Sequence, residues 1–212
     1  MFSSADLAAI EAAVHDVESR SPGEVVPYSV EHSDVYAEAA WTTATMGALA
    51  GGLAAAIVPA PFTWGWEVAL WIAGLPALGA ALGHLLGASS AALRVRLVHG
   101  DVIEHRVRQR ALAAFTEEEV FRTRARTGVL LFLSLLERRV VVLADAGINA
   151  RVRQGEWDGV ASGIVDGMRR GRPGPALAAA IRDCGGLLAA HGFQGRSDVD
   201  DDLSDQFRRR SE

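Results

Sequence analysis

Between Glu38 and Arg94 the chain carries one formal charge, Glu67, which leaves two long uncharged runs, residues 39–66 and 68–93. A bilayer core is about 30 Å thick and a helix rises about 1.5 Å per residue, so roughly 20 apolar residues cross it. Each run is long enough. Core helices of globular proteins normally keep a polar stripe, and neither run shows one. The expectation is a transmembrane helical hairpin over residues 39–93. Gly47 and Gly51 stand four apart, as do Gly79, Gly83 and Gly87, so each helix carries a small-residue face on which the other can dock. Pro59 and Pro61 end the first span, Phe62, Trp64 and Trp66 crowd the turn, and Trp41 marks the opposite interface. His84, inside the second span, reads as a hydrogen-bonded packing residue.

The arginines set the orientation. The loop over residues 59–66 has no positive charge, whereas Arg94, Arg96, Arg106, Arg108 and Arg110 follow the second span closely. Both chain ends and the soluble domain are therefore expected in the cytoplasm, with a multi-pass anchor in the inner membrane. The same arginines can hold the domain against anionic lipid headgroups. The first forty residues hold eight acidic groups and one basic group, Arg20, with no apolar segment before Trp41. The first span is thus expected to act as its own insertion signal.

What remains after the hairpin suffices for one ordinary domain, assembled from residues 1–38 and 94–195. The chain contains no lysine, which excludes Schiff-base chemistry and a Walker-type phosphate loop. Cys184 is the single cysteine, so no intramolecular disulfide or CxxC site exists, and it reads as a small core residue. Nucleic acid is not an expected partner, given a net charge of -5 and no interleaving of aromatic and basic residues.

Leu7, Ile10, Val14 and Val17 recur at helical spacing over residues 4–20, opened by the capping pair Ser3 and Asp6. Residues 24–30 read as a strand, placed at a sheet edge or bulge because Pro27 lacks an N–H. A helix over 101–115 follows the hairpin, and Thr116 with Glu119 opens a shorter one. Residues 128–136 form a continuous apolar run that suits a strand covered on both faces, and residues 137–139 turn into a second strand over 140–144. Helices over 156–170 and 175–191 complete a layered α/β domain. The tail, residues 196–212, is charged and nearly free of apolar residues, so disorder is expected there.

Several phrases in this order resemble the TPM domain family. They are Gly23-Glu24-Val25-Val26, then Arg126-Thr127-Gly128-Val129-Leu130-Leu131, then Ser134 with Glu137-Arg138-Arg139-Val140, and then Ala144-Asp145-Ala146-Gly147-Ile148, with Trp157 and the closing residues 200–203. The likeness is to bacterial membrane members with a helical hairpin inserted after the first strand. It implies an α/β sandwich with a small central sheet. Different members of that family act as acid phosphatases, bind calcium, or serve as accessory and assembly proteins. This chain departs from the common pattern at Arg126-Thr127 and at Asp145-Ala146-Gly147, where many relatives carry an acidic residue or Asn and a Gly-Tyr-Gly-like turn.

The residues that offer chemistry are few. Asp145 follows the strand over 140–144, and ligands of α/β sheets gather beyond the carboxyl ends of strands. With Glu156 and Asp158, and Glu24 as a fourth candidate, it can supply oxygen ligands to calcium or magnesium. Those acidic residues also suit helix N-termini whatever the function. Arg126, Arg138 and Arg139 are candidates for a phosphate or other anionic ligand. His99, Asp101 and His105 lack helical i, i+4 spacing, and there is no HExxH, GxSxG or GxGxxG. The resulting expectation is a membrane-tethered accessory or interaction domain with a membrane-protein partner or a second copy. The alternative is a divalent-metal-dependent phosphatase acting on a phosphate ester.

Overall fold

The computed structural model describes residues 2–58, 65–123, 125–193 and 208–210. The chain divides into two compact units, one of Met1–Ser33 with Glu104–Glu212 and one of Asp34–Ile103. The first is a mixed α/β unit interrupted in sequence by the second, whose elements among the described residues are all helices.

In the α/β unit, α1 (Ser4–Glu18) begins at a capping box. The Ser3 hydroxyl accepts from the Asp6 N–H while the Asp6 carboxylate accepts from the Ser3 N–H. β1 (Glu24–Val30) then runs parallel to β2 (Gly128–Ser134), with Glu24 opposite Gly128 and Val30 opposite Ser134. A four-residue turn with Arg138 in the left-handed region joins β2 to the antiparallel β3 (Arg139–Ala144). The sheet order is β3-β2-β1-β4, where β4 is Arg208–Arg210.

β4 corrects two sequence-based expectations. The tail, expected to lack structure, contributes a strand parallel to the Tyr28–Val30 end of β1, and Arg208 pairs with Glu118 at 2.6 Å. Residues 196–207 and 211–212 of that tail lie outside the described residues. β1 is therefore interior at its C-terminal end and not an edge strand. Pro27 is still accommodated as expected of proline, because β4 does not reach the Glu24–Pro27 half of that side.

Side chains alternate across the sheet. Val25, Val129, Leu131, Leu133 and Val142 join a core with α1, α7 (Asp158–Arg169) and α8 (Pro173–Ala190). Cys184 lies fully buried in this core, where desolvation pushes its thiol well above the usual range. Tyr28 and Phe132 stack on the opposite face at 5.8 Å, beneath α5 (Gly100–Glu117), whose Arg110 donates to the Tyr28 hydroxyl. α5 continues through the predicted break at Thr116. Glu119 then turns left-handed, and Val120–Arg122 is a single 3-10 turn.

The helical unit holds α2 (Ala37–Ile57), α3 (Trp66–Ser89) and the short α4 (Ala91–Leu97). α2 and α3 are both long and apolar enough to cross a membrane. They meet along glycine: a Cβ on Gly47 would fall on the Gly79 carbonyl, and one on Gly83 on the Thr43 carbonyl. The large side chains point the other way, with Leu49 70% and Leu85 64% exposed. His84 packs its ring against Trp41 at 5.1 Å. The aromatic turn, apart from Trp66, falls in residues 59–64, outside those described.

Candidate functional site

Hairpin register explains the first pair of candidate residues. The Asp145 N–H donates to the Gly128 carbonyl at 2.9 Å, which places the exit of β3 beside the entrance of β2, where Arg126 sits. Arg126 adopts φ 57°, and its guanidinium pairs with the 5% exposed Asp145 carboxylate: Nη2 donates to Oδ1 at 3.0 Å, while Nε lies 2.8 Å from Oδ2 as a charge contact without hydrogen-bond geometry. Oδ1 also accepts from the Ala146 N–H at 2.7 Å and so caps α6 (Ala146–Asn149). Gly147 follows because its N–H bonds the Arg126 carbonyl and a side chain there would meet that same backbone. Arithmetic on the hairpin would have found this pair, since residues two before β2 and one after β3 are neighbours.

The expected gathering of Asp145, Glu156 and Asp158 is corrected. Among the described residues no three His, Cys, Asp or Glu side chains come close enough to hold a metal ion. Asp145 is held by Arg126. Glu156 sits in a 3-10 turn (Gln154–Trp157), accepts from the Arg153 N–H at 2.9 Å and lies 2.8 Å from His191 Nε2. These bonds, the Arg153 N–H first, hold its carboxyl below the usual range. Asp158 opens α7 and is exposed. Glu24 starts β1 opposite Gly128, and Arg138 stands exposed in the β2–β3 turn, apart from the Arg126–Asp145 pair.

Two of the arginines that follow the hairpin also have partners that the sequence did not show. The Arg110 side chain is only 11% exposed, lies over the Tyr28 ring and pairs with Glu117 at 3.4 Å. Arg94 donates to the Val35 carbonyl at 2.6 Å. Both side chains make contacts within the protein.

Arg108 points instead to the site that sequence reasoning missed as a whole. It lines a cleft of about 320 Å³ together with Glu104 and Val107 of α5, Arg139–Val142 of β3, and Gln154, Trp157, Asp158 and Ala161. The cleft runs along the open edge of β3, between the helices of the two faces. Its charges are mixed: Arg108 and Arg139 against Glu104 and Asp158. Trp157 is buried beside it, and its indole N–H finds no acceptor among the described residues. The lining joins residues from three distant stretches, and only the sheet order brings them together. The available sequence signal was Glu104 and Arg108 at i, i+4 on one face of a helix.

The backbone of β3 is as informative as the side chains. Because Asp145 bonds inward to Gly128, residues 143, 141 and 139 also turn their backbone groups towards β2, and residues 144, 142 and 140 turn theirs outward. Asn149 Nδ2 covers the Ala144 carbonyl at 2.5 Å, and Gln154 Nε2 covers the Val142 carbonyl at 3.2 Å. Those two amides cap the edge up to the cleft.

No family model matches this chain, and no curated protein matches it. Among solved structures, the NMR structure of BA42 protein from the psychrophilic bacteria Bizionia argentinensis sp. nov. is similar, with a TM-score of 0.58 and 16% identity over 99% of this chain and 95% of that one. At such identity the likeness concerns the fold.

Proposed function

We propose that this chain is a membrane-tethered, TPM-like accessory or interaction domain: an α/β sandwich held at the inner membrane by the α2–α3 hairpin, with both termini in the cytoplasm. One observation carries the anchoring. Trp41, Leu49, Leu53, Ile57, Leu70 and Leu85 are all more than half exposed on helices whose small residues face each other, an arrangement that water penalises and lipid accepts. The absence of positive charge between the helices and its abundance after them favours cytoplasmic ends.

The interaction reading is favoured over phosphate-ester hydrolysis because the candidate groups are already engaged. Asp145 caps a helix turn and pairs with Arg126, and Glu156 is bonded to Arg153 and His191. Among the described residues neither is hydrogen-bonded to a Ser, Thr or Cys side chain that it would activate. Resistance of the protein to alkaline carbonate extraction is the expected result, and extraction would overturn the anchoring. A reporter fused after Glu212 is expected to be active only in its cytoplasmic form. Turnover of a chromogenic phosphate ester that needs calcium or magnesium and is abolished by Asp145→Asn would overturn the non-enzymatic reading.

A further inference from the structure

The open edge of β3 stops being capped where the cleft begins. Beyond Gln154 no described residue takes the Val140 N–H, the Val140 carbonyl or the Val142 N–H, and all three belong to the outward-facing set. Edge strands with unspent donors and acceptors are templates for another strand, and proteins usually block them. Here the blocking is selective. Asn149 and Gln154 close the two carbonyls next to α6, and the remaining stretch is left beside a cleft. Val140 to Val142 spans about 7 Å of strand, enough to pair with a segment of about three residues.

We propose that this cleft is a strand-acceptor site, in which an extended segment of a partner polypeptide bearing one acidic and one basic side chain pairs with Val140 and Val142. This rests on the interaction-domain reading and identifies its docking surface. The free backbone groups include both donors and an acceptor at strand spacing, a pattern that a peptide backbone matches. The apolar wall of Val107, Val140 and Ala161 accepts uncharged side chains. Arg139 at the start of β3 and Asp158 at the start of α7 present opposite charges, so a segment of mixed charge is complementary where a uniformly charged one is repelled at one end.

The test uses the full chain in detergent micelles and a panel of fluorescein-labelled, end-capped hexapeptides that alternate valine with Asp or Arg in every order. Anisotropy is expected to show binding by mixed-charge members and none by all-Asp or all-Arg members. Val140→Pro removes an N–H that β2 does not receive, at a position where an edge strand admits proline. It is expected to weaken binding by about ten-fold or more, the effect of roughly one hydrogen bond. Should that variant unfold, N-methylation of alternate amides in the best peptide gives the same answer on the wild-type chain, abolishing binding in one register and sparing it in the other. Binding by no member, or binding indifferent to both the proline and the N-methyl register, overturns the proposal. A chain that resists carbonate yet binds no peptide overturns the acceptor site alone, and one that binds peptide yet is extracted overturns the anchoring alone.

Discussion

The two units are built from similar apolar residues arranged in opposite senses. In the α/β unit, Leu130, Leu131, Phe132 and Leu133 are fully buried, and polar side chains supply the caps. In the helical unit, Leu49, Leu70 and Leu85 face outward, Gly83 and Gly87 are buried at the contact, and neither α2 nor α3 has a side-chain N-cap. On the anchoring proposed above, burial follows the solvent. Water drives large apolar groups inward, whereas α2 and α3, long and apolar enough to cross a membrane, meet by close backbone approach and leave their leucines outside, as helices in lipid do.

The harshest test of this contrast is to remove one half of the α/β unit. Deleting residues 1–33 takes away α1 and β1, and with them the long parallel partner of β2. The expected result is loss of the cooperative thermal transition of the remaining domain while the hairpin still inserts. A cooperative melt from the truncated chain would break the comparison, because the domain would then not depend on its distant N-terminal piece.

Next in size are single truncations placed on opposite sides of the contrast. Leu131→Ala is expected to cost about 2–5 kcal/mol, since Leu131 is fully buried in the core between β-strand and helix layers. Leu82→Ala, at a side chain 53% exposed on α3, is expected to change stability in micelles by less than about 0.5 kcal/mol. Denaturant titration of both variants gives the ratio. Equal costs would mean that the outward leucines are covered by protein. A smaller but still clear effect is expected from Gly79→Leu, whose side chain would collide with the Gly47 carbonyl, at about 1–3 kcal/mol in the same titration.

How much of this was legible beforehand depended on the range of the determining contact. The hairpin was readable from the missing charges, and β2 and β3 from an apolar run broken by Glu137-Arg138-Arg139, because those signals are local. The Ser3–Asp6 cap was readable for the same reason. β4 was not, since Arg208–Arg210 has the composition of a solvated tail and becomes a strand only through β1, with Glu118 meeting Arg208. Arg110 shows the same limit: helical position marked it as juxtamembrane, and only the fold reveals Tyr28 beneath it. The cleft was the least legible, because Arg108, Arg139 and Asp158 were each visible as charged residues and their meeting depends on the order of strands.

The smallest expected effect concerns pH, and it should belong to the α/β unit alone. Glu156 is held below the ordinary carboxyl value of 4.5 by the Arg153 N–H and then by His191, so the folded protein binds this proton less readily than the unfolded chain does. Its contribution to stability is therefore complete above 4.5 and disappears as the pH falls through the depressed folded value. Glu156→Gln removes the titrating group while keeping its size. Melting curves from neutral pH down to about pH 3 are expected to fall less steeply for this variant than for the wild type, with the two converging at the acidic end. Asp6, held down by the Ser3 backbone and hydroxyl, predicts a parallel result for Asp6→Asn. Neither α2 nor α3 has an N-cap side chain that bonds its first turn, so association of α2 with α3, followed separately by labels on the two helices, is expected to lack the acid step that Glu156 and Asp6 give the α/β unit. Parallel acid slopes for the wild type and both variants would show that the caps are solvated ornaments, and that water-facing polar contacts do not distinguish the two units.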